Sequence, residues 1–458
     1  MHSVKHVCKP YLGNNLLNIL RHLSSTECSK KYYDIVIAGG GMIGTTLACA
    51  LGKNSRFSGR KILLLESTKD IPFVSSEKYS NRVVSLTPGT KNLLNNIGTW
   101  KHIEEARFAT VKRLQVMDAL SDASITFGEI KSSDDVSYIV ENNLILHSAK
   151  KEIKNTNVEI LYESKVKNYE LPGVDDSQVN IFLENGNQYT CDLLIGCDGV
   201  NSKVRQTMGV HYLNWNYNST GVVATLKFCE EFDNSIAWQR WLPTGPLALL
   251  PLNSSQSSIV WSTTPEDAKR LLKLTNEQFV DAVNESFWKV FKRSSTIDQA
   301  VRSFDTLLRA VNCPADVHRT YPPKVSSIEE GSRAAFPLGF GHATSYIGKG
   351  VVLVGDAAHR VHPLAGQGVN LGFGDVSCLN KVLGDAVYSG SSLGNVSYLK
   401  EYETKRQREN LTTMVALEGM YRLYHTEFTP IVLLRSLGVQ AVDVLSPLKK
   451  MIVKHASS

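Results

Sequence analysis

The feature that most restricts this chain is a glycine cluster set between an apolar run and a helical pattern. Tyr33-Asp34-Ile35-Val36-Ile37-Ala38 is short and apolar in the manner of a buried parallel strand, and it stops at Gly39-Gly40-Gly41-Met42-Ile43-Gly44. Leu47, Ala48 and Leu51 then continue a helical pattern, and Lys61-Ile62-Leu63-Leu64-Leu65-Glu66 supplies a second apolar strand. Together these segments predict a βαβ unit. Gly39, Gly41 and Gly44 permit a tight turn and close approach of backbone N–H groups, which aims a helix N-terminus at a pyrophosphate. Glu66, closing the second strand, is placed to accept hydrogen bonds from ribose hydroxyls. The pattern serves NAD and FAD alike, and its bland alternative is a strand-to-helix turn without a ligand.

The same form returns at Asp192-Leu193-Leu194-Ile195-Gly196-Cys197-Asp198-Gly199 and at Gly350-Val351-Val352-Leu353-Val354-Gly355-Asp356. Apolar strands ending in Gly and Asp at three distant places predict one nucleotide-binding lobe interrupted by insertions. The insertions carry strand-like runs such as Val222-Val223-Ala224-Thr225-Leu226 and Ser258-Ile259-Val260-Trp261, separated by turn residues. The expected fold is α/β, α+β overall. It has a discontinuous Rossmann-type cofactor lobe over residues 31–110, 136–210 and 331–395, a sheet-rich substrate lobe over 111–135 and 211–330, and a helical region over 396–458. A length of 458 residues suits two lobes, since one core rarely grows past about 250–300 residues.

Composition excludes several classes. The net charge of +6 is spread along the chain without a basic run interleaved with aromatics, which argues against nucleic acid and leaves a weak pull toward acidic partners or anionic lipid. The eight cysteines form no CxxC pair and do not cluster with histidine, so no metal site is expected. No apolar stretch reaches the about 18 residues of a spanning helix. Residues 1–30 carry Lys5, Lys9, Arg21 and Lys30 against the single acid Glu27, with Leu16, Leu17, Ile19, Leu20 and Leu23 able to share a helical face. That resembles a mitochondrial transit peptide, the bland alternative being a frayed cytosolic extension.

The cofactor question turns on Gly355-Asp356-Ala357-Ala358-His359-Arg360-Val361-His362-Pro363-Leu364-Ala365-Gly366-Gln367-Gly368-Val369-Asn370, which resembles the group A flavoprotein aromatic hydroxylases. The resemblance implies FAD, with Asp356 on its ribityl chain. It further implies that Pro363 and the Gly366-Gln367-Gly368 turn, continuing through Val369 and Asn370, present backbone amides and a helix N-terminus to the flavin. A carboxylate accepts two hydroxyl hydrogen bonds, and a helix N-terminus favours negative charge on a reduced ring. Asp198-Gly199-Val200-Asn201-Ser202-Lys203-Val204-Arg205 resembles the family's Asp-Gly motif, and Arg82 its early arginine beside the flavin. Read as plain residues, Asp198 caps a helix, Arg205 pairs with an acid, and His359 and His362 are hydrogen-bonded structural histidines rather than bases.

Within that family the chain resembles the ubiquinone-biosynthesis monooxygenases in their eukaryotic mitochondrial form. The stretches that carry this are Ser80-Asn81-Arg82-Val83-Val84-Ser85-Leu86, Tyr138-Ile139-Val140-Glu141-Asn142, Gln239-Arg240-Trp241-Leu242-Pro243-Thr244-Gly245-Pro246, Ala248-Leu249-Leu250-Pro251-Leu252 and the tail from Leu433 to Lys449. The resemblance implies hydroxylation at C5 of a 3-polyprenyl-4-hydroxybenzoate, with para-hydroxylation of a 2-methoxy-6-polyprenylphenol as a second step, through a flavin C4a-hydroperoxide formed with O2. It also implies ferredoxin and ferredoxin reductase as electron donors and a multi-subunit biosynthetic complex. A polyprenyl tail too apolar to travel through water calls for peripheral contact with the matrix side of the inner membrane, and the apolar stretch around Leu433 reads equally as the docking surface or as core packing. Two other readings stay open in the sequence: an NAD(P)H-dependent flavin hydroxylase of a small soluble aromatic, and a flavin-binding scaffold subunit without turnover. No substrate-contacting residue is assigned, and Trp241 and Pro243 read as packing.

Overall fold

The computed structural model describes residues 30–73, 76–121, 123–128, 134–173, 177–291, 295–310, 321–445, 449 and 452. The expected transit peptide lies, except for Lys30, outside the described residues. So do Cys8, Cys28 and Cys313, and the tail stretch Ser446-Pro447-Leu448.

Lys31–Ala38 and Ile62–Leu65 form adjacent parallel strands in register Ala38 to Leu65, joined by the helix Met42–Lys53. Gln188–Gly196 lies parallel on the other side of Lys31–Ala38, and Val351–Leu353 parallel beyond it, in registers Ala38 to Gly196 and Gly196 to Leu353. The three apolar runs read as buried strands are thus neighbours in one eight-stranded sheet. Their side chains are buried on both faces, which explains why these runs are continuously apolar rather than alternating. Because the registers align, Gly39, Glu66, Cys197 and Val354 all follow strand ends at one edge. Hydrogen bonds from Gly39 N to Leu65 O (2.9 Å), Cys197 N to Ala38 O (2.8 Å) and Val354 N to Gly196 O (3.0 Å) hold that edge together.

A second, nine-stranded sheet is largely antiparallel and centres on the long strand Tyr212–Phe228, flanked by Ala334–Ala343 and Gln256–Thr263. It takes in Arg113–Asp118 from the earlier insertion, which pairs in parallel with Ile236–Leu242. This sheet runs past residue 330. Ala334–Ala343 is one of its inner strands, and His359–Arg360, directly after the Gly-Asp turn, pairs with Gly341 and His342 at its edge. Long-range pairing with Tyr212–Phe228 decides this membership, and local sequence does not register such pairing. Asn81 adds a further tie, its side-chain amide donating to Ser332 O at 3.1 Å.

Three C-terminal helices complete the molecule: Gln367–Tyr388, Val396–Tyr424 and Thr429–Val444. The first packs on Met42–Lys53 so closely that a Cβ at Gly372 would lie 2.8 Å from Ile43 Cδ1. The last is locked to the second sheet by Arg435, whose Nε and Nη2 donate to the two oxygens of Asp118 at 2.8 and 3.0 Å. Both side chains are 1% exposed. A bidentate pair of this kind fixes orientation as well as position.

Candidate functional site

At the sheet edge the glycines meet different constraints. Gly39 has φ +105°, and a Cβ there would fall 2.4 Å from Cys197 O; at Gly44 it would fall 1.9 Å from Gly39 O. These two positions are fixed by the protein itself. A Cβ at Gly41 meets nothing within 4 Å, so this glycine leaves room rather than avoiding a clash. Gly41 is also the N-cap of Met42–Lys53, which has no side-chain cap and no acid in its first turn. The helices begun by Thr264 and Thr275 are, by contrast, capped by their own hydroxyls. An uncapped helix N-terminus beside open space is what a pyrophosphate requires.

The space is a cavity of about 490 Å³ lined by Gly39, Gly41, Glu66, Asp198, Lys165 and Lys203, among others. Glu66 stands at its wall, one oxygen accepting from Gly40 N at 2.7 Å and the other from Thr68 N at 2.8 Å. Asp198 divides its carboxylate. Oδ2 accepts from Lys203 N (2.8 Å) and Val204 N (3.2 Å), capping the following helix, while the buried Oδ1 has no partner among the described residues. The capping role read from sequence is therefore present, and one oxygen remains for a ligand. Among the described residues Arg205 does not pair with an acid. Its guanidinium donates to Ala357 O at 2.8 Å and Val200 O at 2.6 Å and lies 3.7 Å over the Tyr212 ring, so it braces the Gly-Asp turn.

Asp356 is carried by that turn, Gly355–Ala357, which sits at the end of Val351–Leu353. Its carboxylate is open to solvent and has no hydrogen bond or ion pair among the described residues. Desolvation by the surrounding protein raises its pKa, against the opposing pull of His359 and Arg360. An unpartnered carboxylate at the end of a buried strand suits the hydroxyls of a ribityl chain.

Next, Pro363 opens the short turn Leu364–Gly366, and Gln367–Tyr388 follows from a left-handed Gly366 (φ 64°) with neither a side-chain cap nor an acid in its first turn. A Cβ at Gly366 would press to 3.1 Å from Ser85 Cβ, so glycine is needed there for space as well as for φ. Asn370 spends its whole amide on this junction. It donates to Ser85 O and Gly366 O at 2.8 and 3.1 Å and accepts from Thr87 N and Thr90 Oγ1 at 3.1 and 2.8 Å. Its side chain positions the turn, and the backbone N–H groups at the start of the helix are those of Gln367, Gly368 and Val369. Arg82 lies exposed just before the strand Val83–Leu86, its guanidinium without a partner among the described residues. The sequence-read residues thus fall into two groups, one around the Gly41 cavity and one around the Gly366 turn. Gly355, packed on Ile43 of the first helix, joins them.

Sequence reasoning missed the group that holds these pieces. Asp375, with no exposure, accepts from Gly355 N (2.9 Å) and bonds His359 Nε2 (2.6 Å) through Oδ2, and accepts from Arg406 Nε (2.7 Å) and Asn410 Nδ2 (3.1 Å) through Oδ1. Burial by itself would raise its pKa, but His359 and Arg406 outweigh it and hold the carboxyl well below the usual range. The available signal was an acid inside an otherwise apolar helical stretch, Leu371 to Leu379, together with an Arg and an Asn four residues apart downstream. His359 is the bonded structural histidine expected. His362 is not, because both ring nitrogens are buried without a partner among the described residues.

Comparison with known proteins agrees with this geometry. The chain matches the family described as FAD binding domain over residues 32–304 and 311–414. It is 47% identical over 459 residues to the mitochondrial ubiquinone biosynthesis monooxygenase COQ6 of Xenopus tropicalis, across 97% of this chain and 99% of that protein. To its Homo sapiens counterpart it is 46% identical over 433 residues, across 93% and 92%. Among solved structures, p-nitrophenol 4-monooxygenase PnpA from Pseudomonas putida superposes with a TM-score of 0.67 at 16% identity, covering 93% of this chain and 99% of that one, a likeness of fold.

Two outcomes are expected. Gly41→Ala should leave the unfolding free energy within about 0.5 kcal/mol of wild type, since the new methyl meets no protein atom, yet weaken FAD binding at least about tenfold by filling the space for the pyrophosphate. Thermal unfolding and flavin titration of the apoprotein measure both, and unchanged FAD affinity would refute the placement. Asp375→Asn should lower stability by about 3–5 kcal/mol in urea titration, because Arg406 loses its buried partner. The folded carboxyl lies below its unfolded pKa of about 3.9, so its stabilisation is whole above about pH 4 and fades as pH falls further. The gap between variant and wild type should hold near neutrality and narrow only in acid.

Proposed function

This chain belongs to the family of ubiquinone biosynthesis monooxygenases built on an FAD binding domain, and from that premise we propose that it hydroxylates C5 of a 3-polyprenyl-4-hydroxybenzoate. Para-hydroxylation of a 2-methoxy-6-polyprenylphenol is proposed as a second step on the same site. The chain is an FAD-dependent aromatic-ring monooxygenase, and bound FAD supplies two-electron reduction and activation of O2. What the chain's own residues do follows from the site. The Gly41 helix end takes the pyrophosphate, Glu66 the ribose and Asp356 the ribityl hydroxyls. The N-terminus of Gln367–Tyr388 favours the negative charge that reduction places on the flavin. Asp356 is the observation that carries this reading: an exposed residue at the end of a buried strand whose carboxylate has no partner of its own among the described residues.

We assign the electrons to a reduced ferredoxin with its reductase, within a multi-subunit complex. The net charge of +6 suits an acidic donor. A polyprenyl tail is too apolar to cross water unaided, and we place the protein peripherally on the matrix side of the mitochondrial inner membrane. The supporting surface is the helix Thr429–Val444. Its two charged residues are engaged elsewhere, Arg435 with Asp118 and Asp443 with Thr126 N and Lys449. Leu434 (68% exposed), together with Phe428 and Leu445 at the two ends, is left facing out. No helix among the described residues is long and apolar enough to cross a membrane. We assign this exposed apolar surface to contact with the bilayer.

The absorbance of the purified protein, followed without oxygen, tests the donor. An oxidised flavin spectrum bleached by reduced ferredoxin and not by NADPH is expected. Rapid bleaching by NADPH alone would overturn the donor assignment, and absence of flavin would overturn the function. For the membrane, flotation with vesicles containing anionic lipid should carry the wild-type protein upward and leave Leu434→Glu behind; equal flotation of the two would remove this face from consideration.

A further inference from the structure

His362 is a buried imidazole with nothing in the described protein to bond. It is 1% exposed, and neither Nδ1 nor Nε2 has a partner among the described residues. A buried ring that can donate and accept is costly to leave unpaired. Its neighbour three residues earlier, His359, shows the ordinary solution in its 2.6 Å contact with Asp375.

The surroundings of His362 are aromatic. The Tyr217 ring meets it edge-on with centroids 5.0 Å apart, and the Tyr421 ring lies 4.9 Å away. Neither hydroxyl serves the imidazole. Tyr217 donates to Glu418 Oε2 at 2.6 Å, and Tyr421 is engaged with Ser219 and with Tyr217 O. Glu418 in turn is held by Arg422 at 2.6 Å, and His425 is stacked against Tyr421. The same cluster includes Trp241, which stacks on Tyr424 at 4.2 Å and whose buried indole N–H also lacks a partner among the described residues. The cluster lies between the second sheet and the helix Val396–Tyr424. His362 directly precedes Pro363, where the chain turns into the helix Gln367–Tyr388.

We propose that His362 receives the phenolic hydroxyl of the substrate ring and so orients that ring for oxygen transfer, an assignment that rests on the hydroxylase reading above. Burial lowers the imidazole pKa to about 4, leaving a neutral ring with one acceptor nitrogen and one N–H. A phenol, with an ordinary pKa of about 10, keeps its proton against so weak a base. His362 therefore accepts a hydrogen bond from the hydroxyl and takes no proton. His362 thereby gains a role that the sequence reading, which made it a structural histidine, did not give it.

The test uses the full chain loaded with FAD and follows the flavin absorbance while 3-prenyl-4-hydroxybenzoate, or its 4-methoxy ether, is added. Wild type should bind the phenol about tenfold more tightly than the ether, the difference one hydrogen bond makes. His362→Phe should bind both equally weakly, and His362→Gln, whose amide can accept, should recover part of the preference. If His362→Phe does not hold flavin, His362→Gln against His362→Met makes the same comparison. A phenol preference that survives removal of the imidazole overturns the assignment while leaving the hydroxylase reading intact. Wild-type flavin that responds to neither probe overturns the substrate reading and this assignment with it. A purely structural histidine would change both affinities together and leave their ratio alone.

Discussion

One buried carboxylate fixes the geometry on which this molecule depends. Asp375 is bonded to the N–H of Gly355, to His359, to Arg406 and to Asn410, so four groups from two other chain segments converge on its two oxygens. A charge removed from water is tolerable only when its lone pairs are filled and opposite charge stands beside it. That demand makes the arrangement all-or-none. By holding Gly355 it sets the turn that presents Asp356. By holding His359 it sets the short strand that pairs with Gly341 and His342 of the second sheet. Through Arg406 it draws the helix Val396–Tyr424 onto the cofactor lobe, an attachment reinforced where Tyr402 donates to Leu353 O at 2.9 Å.

Around that anchor, polar groups divide into those the protein saturates and those it leaves open. Asn370, Arg205 and His359 are engaged with protein partners, and each braces a turn. Asp198 Oδ1, the Asp356 carboxylate, the Arg82 guanidinium and the His362 ring are without partners among the described residues. The first set gives rigidity, and the second is the set we propose for contacts with a dinucleotide and an aromatic ring. Two helix ends follow the same division. Gly41 and Gly366 begin helices with no side-chain cap, while Thr264 and Thr275 cap theirs. Stable binding of a charged cofactor calls for this combination of fixed scaffold and unspent donors and acceptors.

Much of the fold was legible because its signals are local. The strand-glycine-helix-strand unit from Tyr33 to Glu66 declares itself within a short span, and the paired Gly and Asp at the ends of later strands mark returns to the same sheet. Other features depended on distant partners. Nothing near Ala334–Ala343 says that it belongs beside Tyr212–Phe228 in the second sheet, because strand pairing is settled by residues more than a hundred positions away. Asn370 sits within a motif read as cofactor-binding, yet its amide is consumed by Ser85, Gly366, Thr87 and Thr90. The two histidines of that motif look alike in sequence, and only the neighbours that folding supplies separate the bonded His359 from the unbonded His362.

The sequence by itself determined the kind of molecule: a dinucleotide-binding lobe with flavin motifs, interrupted by a sheet-rich insertion and followed by helices. Apolar periodicity and glycine placement act over a few residues, so they can be read without a structure. Tertiary structure alone decided which polar groups are spent and which are free. Whether Asp198 keeps an open oxygen, Arg205 braces a turn or His362 stands unpaired is a matter of partners brought together across the chain. Burial then sets what each unpaired group costs, and hence what it can bind.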